Sequence, residues 1–405
     1  MRLILLVAIW MAATASAQDP RNDPRLDALH ATLATLYSHA AEVDPQNRGA
    51  RPELTVAKHE LRDWIELQLP GLKYAQDTKP LSDRINTALK AVGIPESGAD
   101  ESLLGSVGEV RFSNDSDLLI VTTGVGIVCG YDESAYGYQF MNGAWKRVWE
   151  SEQNDYAPQK YAPQHIIAVQ VSQAFGGGSV SGPPFVLTLG NQSSCASAWH
   201  PVYYRVWRVD PAGPKLLLDG AEGAWLRTEI YAVGSIAQDR SIRNPPVDVL
   251  IEFTQGSVDV TVHNREAVRH FLISGDQVRR VGPVALGPRD FVDEWLTRGW
   301  SESAGWSAAS ALQQWHGKLH TGVFGGEFAG TMRCETPELW QVAFAPHDAN
   351  KDLEAGPPAY FLVQWRPPYQ FTMMSVSDKP SPLCTQEDRE ADAWRTLFST
   401  QEWRR

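Results

Sequence analysis

From about residue 105 onward the apolar residues of this chain recur at every second position in short runs, and that period constrains the fold more than any other feature. The runs are rich in Val, Ile, Tyr and Trp and are cut by Gly, Pro, Asn and Asp, which is the pattern of strands joined by tight turns. They fall into groups of four: 109–112, 118–127, 135–140 and 145–150; then 165–173, 184–190, 201–209 and 214–220; then 225–233, 247–254, 268–274 and 277–285. The last hairpin of each group alternates, turns at Gly143, Gly213 or Gly275, and returns through a strand that mixes basic and apolar residues. One four-stranded sheet cannot bury both faces alone, whereas copies stacked around an axis bury them and leave only short edges. The chain is therefore expected to be mainly β with an N-terminal helical segment, built from propeller-like repeats of four-stranded sheets. An irregular β-sandwich or meander, whose hairpins share only turn chemistry, is the alternative. Closed propellers need at least four blades, and the runs 327–334, 339–345, 360–365 and 369–377 offer a fourth unit.

Two stretches keep a helical period. Between 23 and 94, Asp23 is a good N-cap and Pro24 suits the first helical position. Leu26, Leu29, Leu33, Leu36 and Ala40 then form one stripe. A second helix over 54–69 turns Leu54, Ala57, Leu61, Trp64 and Ile65 inward, and a third over 81–92 does the same with Leu81, Ile85, Leu89 and Val92. Between 288 and 320, Phe291, Val292, Trp295 and Leu296 make a helical face that Gly299 ends, and a second helix is expected over 301–315. The dense tryptophans 295, 300, 306 and 315 read as packing across a sheet rather than as a sugar platform.

The start of the chain places its site of action. Arg2 precedes an unbroken apolar run, and Thr14-Ala15-Ser16-Ala17 ends it with small residues, which together make a secretory signal. The run is too short to span a bilayer comfortably, so no stable membrane insertion is expected after its removal. The expected organisation is then a signal peptide over 1–17, a helical segment over 18–100 and a β domain of three units over 105–287. A Trp-rich helical insert over 288–320, a further β unit over 321–384 and a polar tail over 385–405 complete it. The protein is expected to be secreted or periplasmic. The formal charge of −12 argues against nucleic acid as a partner. Cys129, Cys195, Cys334 and Cys384 show no C-x-x-C spacing, and in an exported chain four scattered cysteines suggest disulfides, with three possible pairings. Equivalent loops in adjacent units favour Cys129–Cys195, and Cys334–Cys384 would staple the last unit; four buried free thiols are the alternative.

No catalytic motif stands out. The Gly176-Gly177-Gly178-Ser179-Val180-Ser181-Gly182 loop has Ser181 where a nucleophile elbow needs its second glycine, and it lacks the Gly-Lys-Ser/Thr ending of a phosphate loop. His316 and His320 are four apart, but Gly317 weakens a helix there and no Glu follows His316, so no metal site is assigned. Asp348, Asn350 and Asp352 alternate as cation ligands do, yet Leu353 stands where a calcium loop wants Gly and Ala359 where it wants Glu. No cofactor motif is present. If the units stack as blades, Asp132 and Glu133, in a Tyr/Gly-rich loop beside Cys129, would meet His200 and His263 at one mouth. The reading is a non-catalytic binding or scaffold module of the envelope or secreted space, taking an unknown protein or glycan ligand. A secreted hydrolase of glycans or peptides, and a structural part of an envelope assembly, are the alternatives.

Overall fold

The computed structural model describes residues 23–38, 52–73, 77–93, 103–115, 118–127, 130–154, 163–174, 183–192, 199–226, 230–238, 246–255, 265–281, 284–319, 326–346, 357–366 and 370–387. Three helices come first: α1 (Pro24–Ser38), α2 (Pro52–Glu66) and α3 (Lys79–Lys90). Asp23 caps α1, its Oδ1 accepting from Arg25 N at 3.0 Å, while Oδ2 accepts from Trp64 Nε1 at 3.2 Å and so ties α1 to α2. Every inward residue expected in α2, and Leu26, Leu29, Leu33 and Leu36 in α1, is buried; Ala40 lies outside the described residues. Each such side chain contributes roughly 1.5–3 kcal/mol on burial, so packing rather than propensity holds these short helices.

Among the described residues the strands form four sheets, each built on four antiparallel strands taken in chain order. Sheet I is β1 (Arg111–Asp115), β2 (Leu118–Ile127), β3 (Gly130–Met141) and β4 (Ala144–Ser151) in order. Sheet II is β5 (Gln164–Val171), β7 (Phe185–Gln192), β8 (Trp199–Asp210) and β9 (Gly213–Leu226). Sheet III is β10 (Ile230–Gln238), β11 (Val247–Gln255), β12 (Arg265–Ser274) and β13 (Gln277–Val281), with β6 (Gln173–Ala174) added in parallel beside β10. Sheet IV is β14 (Gly326–Cys334), β15 (Leu339–Pro346), β16 (Ala359–Arg366) and β17 (Gln370–Ser377), with β18 (Cys384–Glu387) on the free edge of β14. The fold is thus mainly β with N-terminal helices, and the sheets do not close into a barrel.

The turn chemistry explains the hairpins. Met141 pairs with Ala144, and the intervening Asn142 (φ 52°) and Gly143 (φ 82°) are both left-handed, the geometry whose twist matches a two-residue hairpin. Gly213 and Gly275 also have positive φ. The hairpin tips of sheets II and III are tied by Asp276, which pairs with Arg208 at 2.7 Å and Lys215 at 2.5 Å.

The layers follow one another. The N-terminal helices cover one face of sheet I. Its other face, through Leu118, Ile120, Ala135 and Trp149, packs on Ile166, Val171, Val186 and Val209 of sheet II. Sheet II in turn packs on sheet III through Leu187, Tyr204, Val249 and Phe271. Helix α4 (Pro288–Thr297) then lies against sheet IV, with Phe291, Val292, Trp295 and Leu296 all buried.

Several boundaries differ from expectation. Gln173 leaves sheet II to pair with Ala237: Ser172 N still bonds Phe185 O, but Phe185 N donates to Ser172 Oγ at 3.2 Å. Trp225 belongs to β9, since β8 is long enough to pair with it through His200, and the next strand starts only at Ile230. The helix expected over 301–315 is broken into α5 (Trp300–Ser303) and α6 (Leu312–Leu319). Edge strand β17 captures the intervening backbone, with Ala308 N bonding Met373 O at 2.9 Å. Gly317 does not stop α6, which continues to Leu319.

Candidate functional site

Helix α2 carries a polar stripe of Lys58, Arg62 and Glu66, spaced four apart and so on one face. Strand β3 answers with Asp132, Ser134, Tyr136 and Tyr138, every second residue and so also on one face. Lys58 Nζ sits 2.7 Å from Asp132 Oδ2 and donates to Gln153 O at 3.0 Å; both charged side chains are almost wholly buried, at 1% and 0% exposure. Asp132 Oδ1 also accepts from Gln164 N at 3.2 Å. Burial pushes the Asp132 carboxyl above its usual range, and Lys58 pulls against that shift. Tyr136 donates to Glu152 Oε2 at 2.5 Å while Glu152 Oε1 meets His59 Nε2 at 2.9 Å. Burial, then the neighbouring carboxylate, raises the Tyr136 hydroxyl well above its normal value, so it stays a neutral donor. At the far end Tyr138 donates to Glu66 Oε1 at 3.2 Å, and Arg147 Nη1 lies 3.3 Å from the same oxygen.

The seam opens there into a cleft of about 640 Å³, lined by Arg25, Asp63, Glu66, Tyr138, Trp145 and Arg147, with Leu67, Leu69 and Lys146 completing the wall. The Trp145 indole is fixed by its Nε1–H donating to Leu72 O at 2.8 Å and by an edge contact with Phe140 at 5.2 Å between centroids. Asp63 Oδ1 accepts from Arg62 at 2.8 and 2.9 Å. The cleft therefore presents two anchored carboxylates, guanidinium donors and a fixed aromatic surface.

Asp132 and Glu133 lie not in a loop but within β3, which extends back to Gly130 because Asp132 pairs with Val125 and Glu133 with Gly124. Glu133 looks toward sheet II: its Oε2 accepts from Ile166 N at 2.5 Å and meets His165 Nδ1 at 3.1 Å, and Arg111 lies 3.4 Å from Oε1. These two acids bind sheet I to its neighbours. His200 lies in β8, paired with Trp225, and His263 falls outside the described residues, as do Cys129, Cys195, His320, the 176–182 loop and Asp348-Asn350-Asp352. Cys334 and Cys384 form a disulfide across β14 and β18. His316 is buried, with Nε2 at 2.9 Å from Arg298 O and its ring against Trp295. Among the described residues no three His, Cys, Asp or Glu side chains group as a metal site.

A second buried charge cluster docks α4 on sheet III. Glu294 pairs with Arg269 and Arg280, and with Arg298 at 3.1 Å. Burial alone would raise its carboxyl, but the three guanidiniums hold it well below the usual range. Asp290, fully buried, accepts from Leu286 N at 2.9 Å but lies 3.7 Å from Arg269, and burial lifts its carboxyl to about 7.

Sequence reasoning passed over Lys58, Asp63, Glu66 and Trp145. Lys58 left a trace: it falls four residues after Leu54 and three before Leu61, inside the apolar stripe, where a lysine needs a buried anion. The cleft residues left none, because Glu66 and Trp145 are brought together from distant segments.

No protein-family model matches the chain, and no curated protein sequence matches it. Among solved structures, 66% of the chain aligns with 65% of an α-L-arabinofuranosidase of Fusarium graminearum, solved with an iminosugar inhibitor, at 10% identity and a TM-score of 0.24. The chain thus spans just under two thirds of that protein. A glycoside hydrolase aligns over 97% of its own length and 76% of this chain, at 8% identity and a TM-score of 0.25. Scores this low fall short of a shared fold and carry no inference about activity.

Proposed function

We propose that the protein is exported and acts outside the cytoplasm as a non-catalytic binding or scaffold module, with the cleft beside α2 as its ligand surface. The observation that carries this reading is the commitment of the acids: Asp132 and Glu133 hold the layers together, while Asp63 and Glu66 are each anchored by a neighbouring guanidinium. Fixed polar groups beside a fixed aromatic are the makings of a recognition surface. Export is supported by the signal-like first 17 residues and by the Cys334–Cys384 disulfide, a bond that persists in oxidising compartments. No helix among the described residues is long and apolar enough to cross a membrane.

The test has two parts. N-terminal sequencing of the protein recovered from fractionated cells is expected to begin at Gln18, outside the cytoplasm. A broad screen of glycan and peptide substrates is expected to give no turnover. One observation favours a hydrolase as the second reading: Asp63 and Glu66 place two carboxylates one helical turn apart in a single cleft. Turnover that disappears in Glu66→Gln would establish that reading and end the first.

A further inference from the structure

Helix α4 stands between two sheets. Its apolar side packs on sheet IV through Phe344, Phe361, Val363 and Phe371, and Val268 of β12 in sheet III enters the same core. Its charged side meets sheet III. Asp290 and Glu294, one turn apart and so on one face, both look toward Arg269 of β12, and all three side chains are buried. We propose that this junction is a pH-sensitive clasp, closed while Asp290 carries a proton and loosened when Asp290 ionises, so that α4 comes away from sheet III as the surroundings turn from acidic to alkaline.

The cluster satisfies one carboxylate and leaves the other short. Arg269 holds Oε1 of Glu294, while Arg280 of β13 and Arg298 hold Oε2, the latter at 3.1 Å. Arg269 Nη1 also donates to Val268 O at 2.9 Å. Asp290 Oδ2 accepts from Leu286 N at 2.9 Å and ties down the chain entering α4. Its Oδ1 is buried with no hydrogen-bond partner among the described residues and stands 3.7 Å from Arg269. A neutral carboxyl tolerates one unmade hydrogen bond far better than an ion does where water is excluded. An ionised Asp290 must draw Arg269 from Glu294 or Val268 O, or leave the interior, and either movement undoes the pairing that seats α4 on β12.

The surrounding charges do not remove the conflict. Burial opposes the charge most, Arg269 and the Leu286 N–H favour it, and Glu294 and Asp293 oppose it, which together lift the carboxyl to about 7. Arg289, also on α4, lies over the Phe328 ring of sheet IV, and His316 of α6 turns to Trp295 and Arg298 O. When α4 opens, Asp290 meets water and returns to the ordinary carboxylate range of about 4. Its pKa in the closed state is the raised one, so closure is favoured fully below that range and the advantage is lost as pH rises through about 7. Opening therefore grows by up to about tenfold per pH unit across that interval and levels off above it.

Hydrogen exchange of the full chain at about pH 5 and about pH 8 tests the clasp, each amide rate being divided by its unstructured rate at that pH. Opening at the α4 amides 291–297 is expected to rise about tenfold or more between the two, with a ceiling of roughly a hundredfold, while amides 83–90 of α3 change little. The rise is expected to disappear in Asp290→Asn, and in Asp290→Ser, which shortens the side chain but keeps an oxygen for Leu286 N. An infrared pH titration reads the proton itself. A buried-carboxyl band should be lost from the wild type as pH rises through about 7 and be missing from both variants. The inference is overturned if opening at 291–297 is independent of pH, or if no such band separates the wild type from the variants. A rise that survives both variants belongs to another group, such as His316, and overturns it too. An equal rise in α3 would make the effect one of global stability and leave no clasp at α4.

Discussion

Removing Lys58 should expose how much the helical cover depends on one charge pair. Replacement by Met keeps the length and apolar stem but leaves Asp132 buried without its cation. At 1% and 0% exposure the pair sits at the buried limit, where removing one partner costs about 3–5 kcal/mol, rather than at the surface limit of roughly 0.2–1 kcal/mol. That is a large share of a domain stability of about 5–15 kcal/mol. The pH dependence gives a second handle. Asp132 already has a folded pKa above its unfolded value, through burial, and losing Lys58 raises it further. A raised folded pKa means that the native state holds the proton more tightly than the unfolded state. Stability is then present at low pH and lost as pH rises through the folded pKa. The deficit of Lys58→Met should therefore be larger at about pH 8 than at about pH 5. Urea denaturation at both values measures it. Lys79→Met, which breaks an exposed pair of similar length, 2.9 Å, serves as the control and should leave the transition in place. A deficit for Lys58→Met no larger than that of the control, or one that grows on acidification, refutes the argument.

Two further perturbations test the other end of the molecule. Asp290→Asn keeps an acceptor for Leu286 N but removes a buried carboxyl whose pKa is lifted to about 7; wild-type stability from that group is lost as pH rises through about 7, so the variant should be the more stable protein at pH 8 and show a flatter profile, by thermal melts, with a ceiling of roughly 4 kcal/mol. Cys384→Ser with Cys334→Ser opens a disulfide spanning 50 residues and should cost about 2–4 kcal/mol; a midpoint in denaturant equal to that of the oxidised parent would show that β14 and β18 hold without it.

The architecture was legible where local pattern and tertiary demand agree. The two-residue period from 105 onward, cut by Asn142-Gly143 and its counterparts, marks hairpins because a left-handed turn residue and an alternating flank are both local requirements. The helical stripes were legible for the same reason. Edge decisions were not. Gln173 joining sheet III, and Ala308 pairing with Met373, depend on which free backbone lies nearby, and neither side chain records that. The polar groups were the least legible. Asp132 and Glu133 drew attention as adjacent acids, but their roles are set by Lys58, Ile166 and His165, which lie 32 to 74 residues away in sequence.

The same long-range seam raises the question of what the Lys58–Asp132 pair is for, since a well-packed apolar pair can match or exceed a buried ion pair in stability. Its geometry points to orientation. Lys58 and Glu66 share one stripe of α2, roughly 12 Å apart along the axis, so the angle at which Lys58 docks on β3 sets where Glu66 stands in the cleft. An apolar contact lets a helix slide and rotate, whereas a 2.7 Å ion pair backed by Gln153 O and Gln164 N fixes one position. The double variant Lys58→Met with Asp132→Leu should therefore regain most of the stability lost in Lys58→Met alone. Its amides over 61–66 should nevertheless exchange faster than in the wild type at equal global stability, because local opening is no longer resisted by a directional contact. If exchange across those residues follows global stability alone, the pair contributes no orientation, and the position of Glu66 is set by the apolar packing of Leu61, Trp64 and Ile65.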